Sequence, residues 1–308
     1  MGKNSFVIIL LFLMPLTSFA QMLNGFDLKG ASIPISEIFR GGPPRDGIPS
    51  IDKPAFNKAG NTIVTDDSRI LGVYINGIAK AYPINIMNYH EIVNDIFGEN
   101  AVVITYCPLC GSGVAYHSNV AGKDRTFGVS GLLYNSDVLL YDRESESLWS
   151  QMMSEAVTGQ LKGQKLTIIP TSNTTWREWK FRFPDSQILS QDTGFRRDYS
   201  RTPYMGYDES EQIYFPVSRS SKDYHPKELV IGIEVDGKYK VYPFSELAKS
   251  ESVVQDTFNG LGITVIFDKK NNSARVLDSK QNEFQSITSF WFAWYAFHPN
   301  AKVFKAGK

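Results

Sequence analysis

The chain has 308 residues and carries 32 lysines and arginines against 32 aspartates and glutamates, so its net charge is zero. That balance excludes the electrostatic footprint of a nucleic-acid-binding protein or one steered to an anionic membrane. Hydrophobic residues make up 42% of the chain and aromatic residues 13%, enough to bury one or two real cores.

The chain opens MGKNSFVIILLFLMPLTSFAQM. Lys3 precedes an apolar run from Phe6 to Leu16, and Ser18 and Ala20 occupy the small-residue positions of a cleavage site. This pattern predicts a signal peptide over 1–20 and a periplasmic or secreted product. The run is shorter than the roughly 20 residues needed to span a bilayer. No later window is apolar enough, so no transmembrane segment is expected after cleavage. Residues 21–68 include SIPISEIFRGGPPRDGIPSIDKPAF, rich in Gly and Pro. They predict an extended wrap without elements of its own.

The next segments come in two versions. ILGVYINGIAKAYP (70–83) and VIGIEVDGKYKVYP (230–243) share Gly, Gly, Lys, Tyr and Pro at the same spacing. Asn76-Gly77 and Asp236-Gly237 are strong hairpin signals, because a type I′ turn needs positive φ twice. Pro83 and Pro243 then suit the start of helices in INIMNYH and FSELAKS. IVNDIFGENAVVITY (92–106) and VVQDTFNGLGITVIF (253–267) read as paired strands rich in β-branched residues. Each version ends in a WxxW segment with helical spacing, WREWKFRFP and WFAWYAFHP. Thr174 or Thr175 is a candidate N-cap for the first, and Pro184 its stop. The fold class expected is α+β, antiparallel-sheet-rich, with two related lobes from an internal duplication. The first lobe spans 69–215, and a second, degenerate lobe spans 216–308.

Both cysteines of the chain lie in TYCPLCGSG (105–113), and the duplication supplies an internal control. Cys107 aligns with Asp268 and Cys110 with Asn271, in an ordinary polar turn, DKKNN. The scaffold therefore closes that turn without sulfur. His90 aligns with Glu251, and only the first version carries the insert FGVSGLLYNSDVLLYDRESESLWSQ (127–151).

Three chemistries fit the cysteine pair. A thioredoxin-type site would start a helix, but GVAYH after the pair reads as a strand. A metal knuckle needs further ligands. His90, one strand upstream, is the best third ligand and His117 the second choice. Two thiolates and a histidine suit copper or zinc. A disulfide is permitted outside the cytoplasm, although so small a loop gains only about 2 kcal/mol by loop closure.

Other groups are weaker candidates. Asp137, Asp142, Glu144 and Glu146 offer an acid and a base, and on a strand the last three share one face. Arg196 and Arg197 offer an anion clamp. GVSG (128–131) lacks the form of a nucleophile elbow.

HEIVND (90–95), TYCPLCGS (105–112), FGVSGLLYNSDVLLYDR (127–143), SLWSQ (147–151) and TGFRRDY (193–199), with GGPPRDGIPS before them, resemble a secreted bacterial family of unknown function. The likeness runs from about Gly41 to Tyr207. It implies an extracytoplasmic α+β protein whose signature includes both cysteines and His90, and it implies no activity. His117 is outside that pattern, and Tyr89 stands where many relatives have Trp.

The leading expectation is therefore a soft-metal site for copper or zinc built from Cys107, Cys110 and His90. A thiol-disulfide oxidoreductase using Cys107 and Cys110 is the second reading. The third is a binding module with a structural disulfide, presenting Tyr134, Asp137 and Trp149. No partner is indicated by the sequence.

Overall fold

The computed structural model describes residues 21–60 and 64–307; the expected signal peptide over 1–20 lies outside the described residues. Strand dominates and helices are few and short, so the chain is an antiparallel-rich α+β protein. Among the described residues no helix is long and apolar enough to cross a membrane.

Strands β1 (Arg69–Ile75) and β2 (Ile78–Pro83) form the first hairpin. Its turn carries positive φ at Asn76 (49°) and Gly77 (86°), as the type I′ signal requires. Helix α1 (Ile84–His90) starts directly after Pro83. Strands β3 (Ile92–Phe97), β4 (Asn100–Cys107) and β5 (Ser112–His117) follow as an antiparallel meander. The insert then supplies β6 (Phe127–Tyr134), β7 (Asp137–Asp142) and β8 (Leu148–Ser150). Strand β9 (Thr171–Thr175) leads into α2 (Trp176–Arg182), and β10 (Gln187–Leu189) closes the first set. Thr175 caps α2, its hydroxyl accepting from the Glu178 N–H at 3.3 Å.

The second set repeats this order. It comprises β11 (Leu229–Val235), β12 (Lys238–Pro243), α3 (Phe244–Leu247), β13 (Val253–Phe258), β14 (Leu261–Asp268) and β15 (Ser273–Asp278). It ends with β16 (Ile287–Phe290), α4 (Trp291–Phe297) and β17 (Lys302–Val303). The expected helix over FSELAKS is shorter than its sequence. After Leu247 the chain tightens, Lys249 N bonding Glu246 O and Ser250 N bonding Leu247 O.

In each set the hairpin is flanked by one antiparallel strand, β9 or β16, and one parallel strand, β10 or β17. A Lys–Tyr–Asp triad also recurs, buried in the first set and partly exposed in the second. Lys80 pairs with Asp95 at 2.8 Å while the Tyr82 hydroxyl donates to the same carboxylate at 2.5 Å. In the second set Lys240 and Tyr242 approach Asp256 at 2.5 and 2.8 Å. Gly72 and Gly232 lie under Trp179 and Trp294, where an added Cβ would come within 2.3 and 2.1 Å of the indole.

The two sets are stitched through the first meander. Strand β5 pairs with β16 at Gly113–Thr288, which makes one eight-stranded sheet from strands of both sets. Gly113 also lets β5 lie close against β1, since a Cβ there would meet Leu71 at 2.2 Å.

The preamble does more than wrap. Ile38–Arg40 adds an edge strand beside β6, and Phe56–Lys58 another beside β10. Both cover edges that would otherwise present unpaired backbone groups.

Candidate metal centre

The cysteine turn is set by its two strands. Strands β4 and β5 pair from Val102–His117 to Cys107–Ser112, and the Cys110 N–H donates to the Cys107 carbonyl at 3.2 Å. Gly111 has φ of +59°, and a Cβ there would sit 2.9 Å from the Phe290 ring. Glycine satisfies both demands. The Phe290 N–H then donates to the Cys110 carbonyl at 2.7 Å, pinning the turn to the start of α4.

The insert supplies the opposite wall. Asn135 and Ser136 both take positive φ, 53° and 63°, in the tight turn between β6 and β7. Asn135 Oδ1 accepts from the Ser218 N–H at 2.7 Å, and Ser136 Oγ donates to the Phe215 carbonyl at 2.8 Å. That anchorage points the Ser136 carbonyl at both thiols, 3.7 Å from Cys107 Sγ and 3.3 Å from Cys110 Sγ. Asp137, next in the chain, accepts from the Met152 N–H through Oδ2 at 3.0 Å. Its Oδ1 is buried without a hydrogen-bond partner among the described residues. One donor atom each from Cys107, Cys110 and Asp137 lies within 4.8 Å of the other two.

Below the turn, SLWSQ provides a fixed floor. Ser112 Oγ donates to Gln151 Oε1 at 2.6 Å, and Gln151 Nε2 donates to Thr105 Oγ1 at 2.8 Å. The Tyr116 hydroxyl reaches the Gln151 carbonyl at 2.5 Å. Every member of this network is buried, so the turn sits on a rigid polar lattice.

Burial governs the electrostatics. It pushes the Cys107 thiol up and the Cys110 thiol well up from the ordinary thiol value. It raises Asp137 to about 7, opposed by the Met152 N–H. Glu91, just after α1 with φ of +58°, is raised to about 8 by burial and then by Asp137. Neither carboxylate has an ion-pair partner among the described residues. Acids in such a place hold their protons unless a cation replaces them.

The two thiols are free, so the disulfide of the third reading is not formed. Strands flank the pair on both sides, and neither thiol is lowered. A thioredoxin-like pair has a helix after it and a depressed thiol.

The structure brings Cys107 and Cys110 together but joins Asp137 to them, whereas His90 is engaged elsewhere. Its Nδ1 bonds the Pro49 carbonyl at 2.7 Å and its Nε2 the Tyr199 hydroxyl at 2.6 Å. With both nitrogens bonded, the buried ring ties Pro49 of the preamble and Tyr199 to α1. His117 is five residue pairs along the hairpin from the turn, about 17 Å at strand rise.

Asp142, Glu144 and Glu146 do not share a strand face, because β7 ends at Asp142 and a turn follows. Asp142 accepts from Ser145 and from Trp149 Nε1, Glu144 caps Thr126, and Glu146 pairs with Arg45. Arg196 and Arg197 are exposed. Ser130 of GVSG donates to the Leu139 carbonyl inside a β-bulge. Tyr134 stacks edge-on against Phe297, and Trp149 is fully buried. Reading by sequence weighed Asp137 only as an acid, base or binding surface, and missed Glu91. The available signal was the Asn135-Ser136 turn, which hands the next residue to the core.

The architecture is thus a sheet-rich α+β protein with a buried Cys–Cys–Asp donor set. The chain belongs to the family described as Protein of unknown function (DUF3179), matched over residues 45–301. Comparison with curated proteins and with solved structures gave no match.

Proposed function

We propose that the protein binds one soft or borderline metal ion through Cys107, Cys110 and Asp137, and that zinc is the better fit. The observation that carries this reading is the convergence of three buried donors within 4.8 Å, with no ion-pair partner for the carboxylate among the described residues. A carboxylate beside two thiolates suits Zn(II), whereas Cu(I) prefers sulfur and would leave the oxygen idle. Three protein ligands leave a fourth position open, the form of zinc sites that handle a substrate or water.

His90 anchors Tyr199 and Pro49 in this reading and is not a ligand. The protein acts outside the cytoplasm, as the signal-peptide pattern at its start suggests. The second set is a copy that keeps the framework and lacks the site, with Asp268 and Asn271 at the positions of Cys107 and Cys110.

The test is metal content of protein purified without chelator, for the native chain and three variants. Near one zinc per chain is expected in the native protein and in His90→Gln, with loss in Cys110→Ser and Asp137→Ala. Zinc retained in Cys110→Ser, or absent from the native chain even after zinc is supplied, would refute the proposal. Two adjacent free thiols also suit thiol-disulfide exchange, and a reversible disulfide in metal-free native protein would favour that reading instead.

A further inference from the structure

A cavity of about 450 Å³ opens beside the cysteine turn and contains none of the proposed ligands. Its walls include Arg69, Tyr106, Tyr204 and Phe290, with Pro108 and Gly111 of the turn along one side. This volume falls in the range of small-molecule sites. Both sets of elements contribute, Arg69 from β1 and Phe290 from β16.

Arg69 is unusual in its company. Nη1 donates to the carbonyls of Asn271 and Asn272 at 2.6 and 3.2 Å, and Nη2 to Asn173 O and Oδ1 at 2.9 and 2.6 Å. All four acceptors are neutral, and Nε–H makes no hydrogen bond to any described residue. Among the described residues no carboxylate pairs with this guanidinium. Glu178, whose charge it feels, is already bound to Arg182 at 2.6 Å. Burial pulls Arg69 down to about 10 from its ordinary 12.5, as expected for a desolvated cation without a counter-charge.

Two hydroxyls accompany it. Tyr106 is 8% exposed, lies close enough to Arg69 to feel its charge, and its hydroxyl has no hydrogen-bond partner among the described residues. The Tyr204 hydroxyl also makes no hydrogen bond to any described residue. Asp208, exposed at the rim, is the one opposing charge among the lining residues, and Lys227 feels its field.

We propose that this cavity binds a small oxyanion, an organic carboxylate or a phosphate, with Arg69 supplying the charge and Tyr106 and Tyr204 donating hydrogen bonds. The aromatic walls and the volume give room for a few carbons behind the anionic group. The site is independent of the metal reading, since it uses none of the same side chains.

The experiment is isothermal titration of the full chain with succinate, inorganic phosphate and the neutral analogue succinamide. Saturable binding of succinate or phosphate is expected, and the better of the two identifies the source. Succinamide is expected not to bind. Tyr106→Phe, which removes one oxygen, should weaken the anion about tenfold or more, the worth of a hydrogen bond to a charged group. Arg69→Met should abolish binding, and Asp208→Asn should tighten it. Because Arg69 also holds three neighbouring carbonyls, Tyr106→Phe keeps the test decisive if Arg69→Met unfolds. Failure of both anions to bind, equal binding of succinamide, or unchanged affinity in Tyr106→Phe would overturn the proposal.

Discussion

The main-chain N–H of Phe290 donates to the Cys110 carbonyl at 2.7 Å. At the matching place before the other tryptophan helix, the Thr175 hydroxyl donates to Asn271 Oδ1 at 2.6 Å. Each turn is therefore held by the helix start of the other set. One turn carries sulfur, and its mirror carries Asn271.

The closeness of Phe290 makes Gly111 intolerant of any side chain. Gly111→Ala combines a left-handed residue with a Cβ 2.9 Å from the ring. It should cost about 2 kcal/mol or more, read as a lower urea midpoint with unchanged slope. A midpoint equal to that of the native protein would mean the turn can move away from α4.

The buried carboxyls give the metal-free protein a characteristic pH dependence. Asp137 titrates near 7 in the fold against 3.8 when free, so the folded state holds its proton more tightly. Its contribution is fully present below about pH 4 and is lost as pH rises through 7, about 4 kcal/mol in all. Glu91, raised to about 8, adds in the same direction. Asp137→Asn should therefore flatten the fall in stability between pH 4 and 7, measured by denaturation of chelator-treated protein. An unchanged slope would place the Asp137 carboxyl in contact with water or a cation.

His298 acts with the opposite sign. It stacks on Tyr239 with centroids 3.8 Å apart, and burial lowers it to about 4 from 6.5. Its contribution is complete above pH 6.5 and is lost as pH falls through 4, up to about 3 kcal/mol. His298→Phe should remove that acid-side loss while keeping the stack. A native-like acid profile in the variant would contradict this assignment.

The paired glycines test whether the two sets are one framework. Gly72→Ala and Gly232→Ala each drive a Cβ into an indole, Trp179 or Trp294. Overpacking of this kind costs about 3 kcal/mol. Similar losses in thermal stability are expected for both. A large effect in one and none in the other would show that the frameworks are packed differently.

Much of this framework was legible in the sequence because it rests on local chemistry. Asn76-Gly77 and Asp236-Gly237 announce their turns, Thr175 announces its helix, and recurring Gly, Lys, Tyr and Pro mark the common order. The site was half legible. The cysteines stand in one turn, but Asp137 reaches them through a contact between separate sheets, which no local pattern encodes. His90, the expected third ligand, has both ring nitrogens bonded away from the thiols. Glu91 takes the left-handed conformation that ends α1, which leaves His90 facing Pro49 and Tyr199 while Glu91 feels the charge at Asp137. The edge strands of the preamble were missed because Gly and Pro around them mask three-residue pairings.

Cobalt substitution tests the central claim most directly. Chelator-treated, reduced protein would be titrated with Co(II), following thiolate-to-metal absorption. Saturation at one ion per chain is predicted, with the band lost in Cys110→Ser, weakened in Asp137→Asn and retained in His90→Gln. No thiolate-to-metal band in the native protein, or a band undiminished in Cys110→Ser, would contradict a metal centre at this turn.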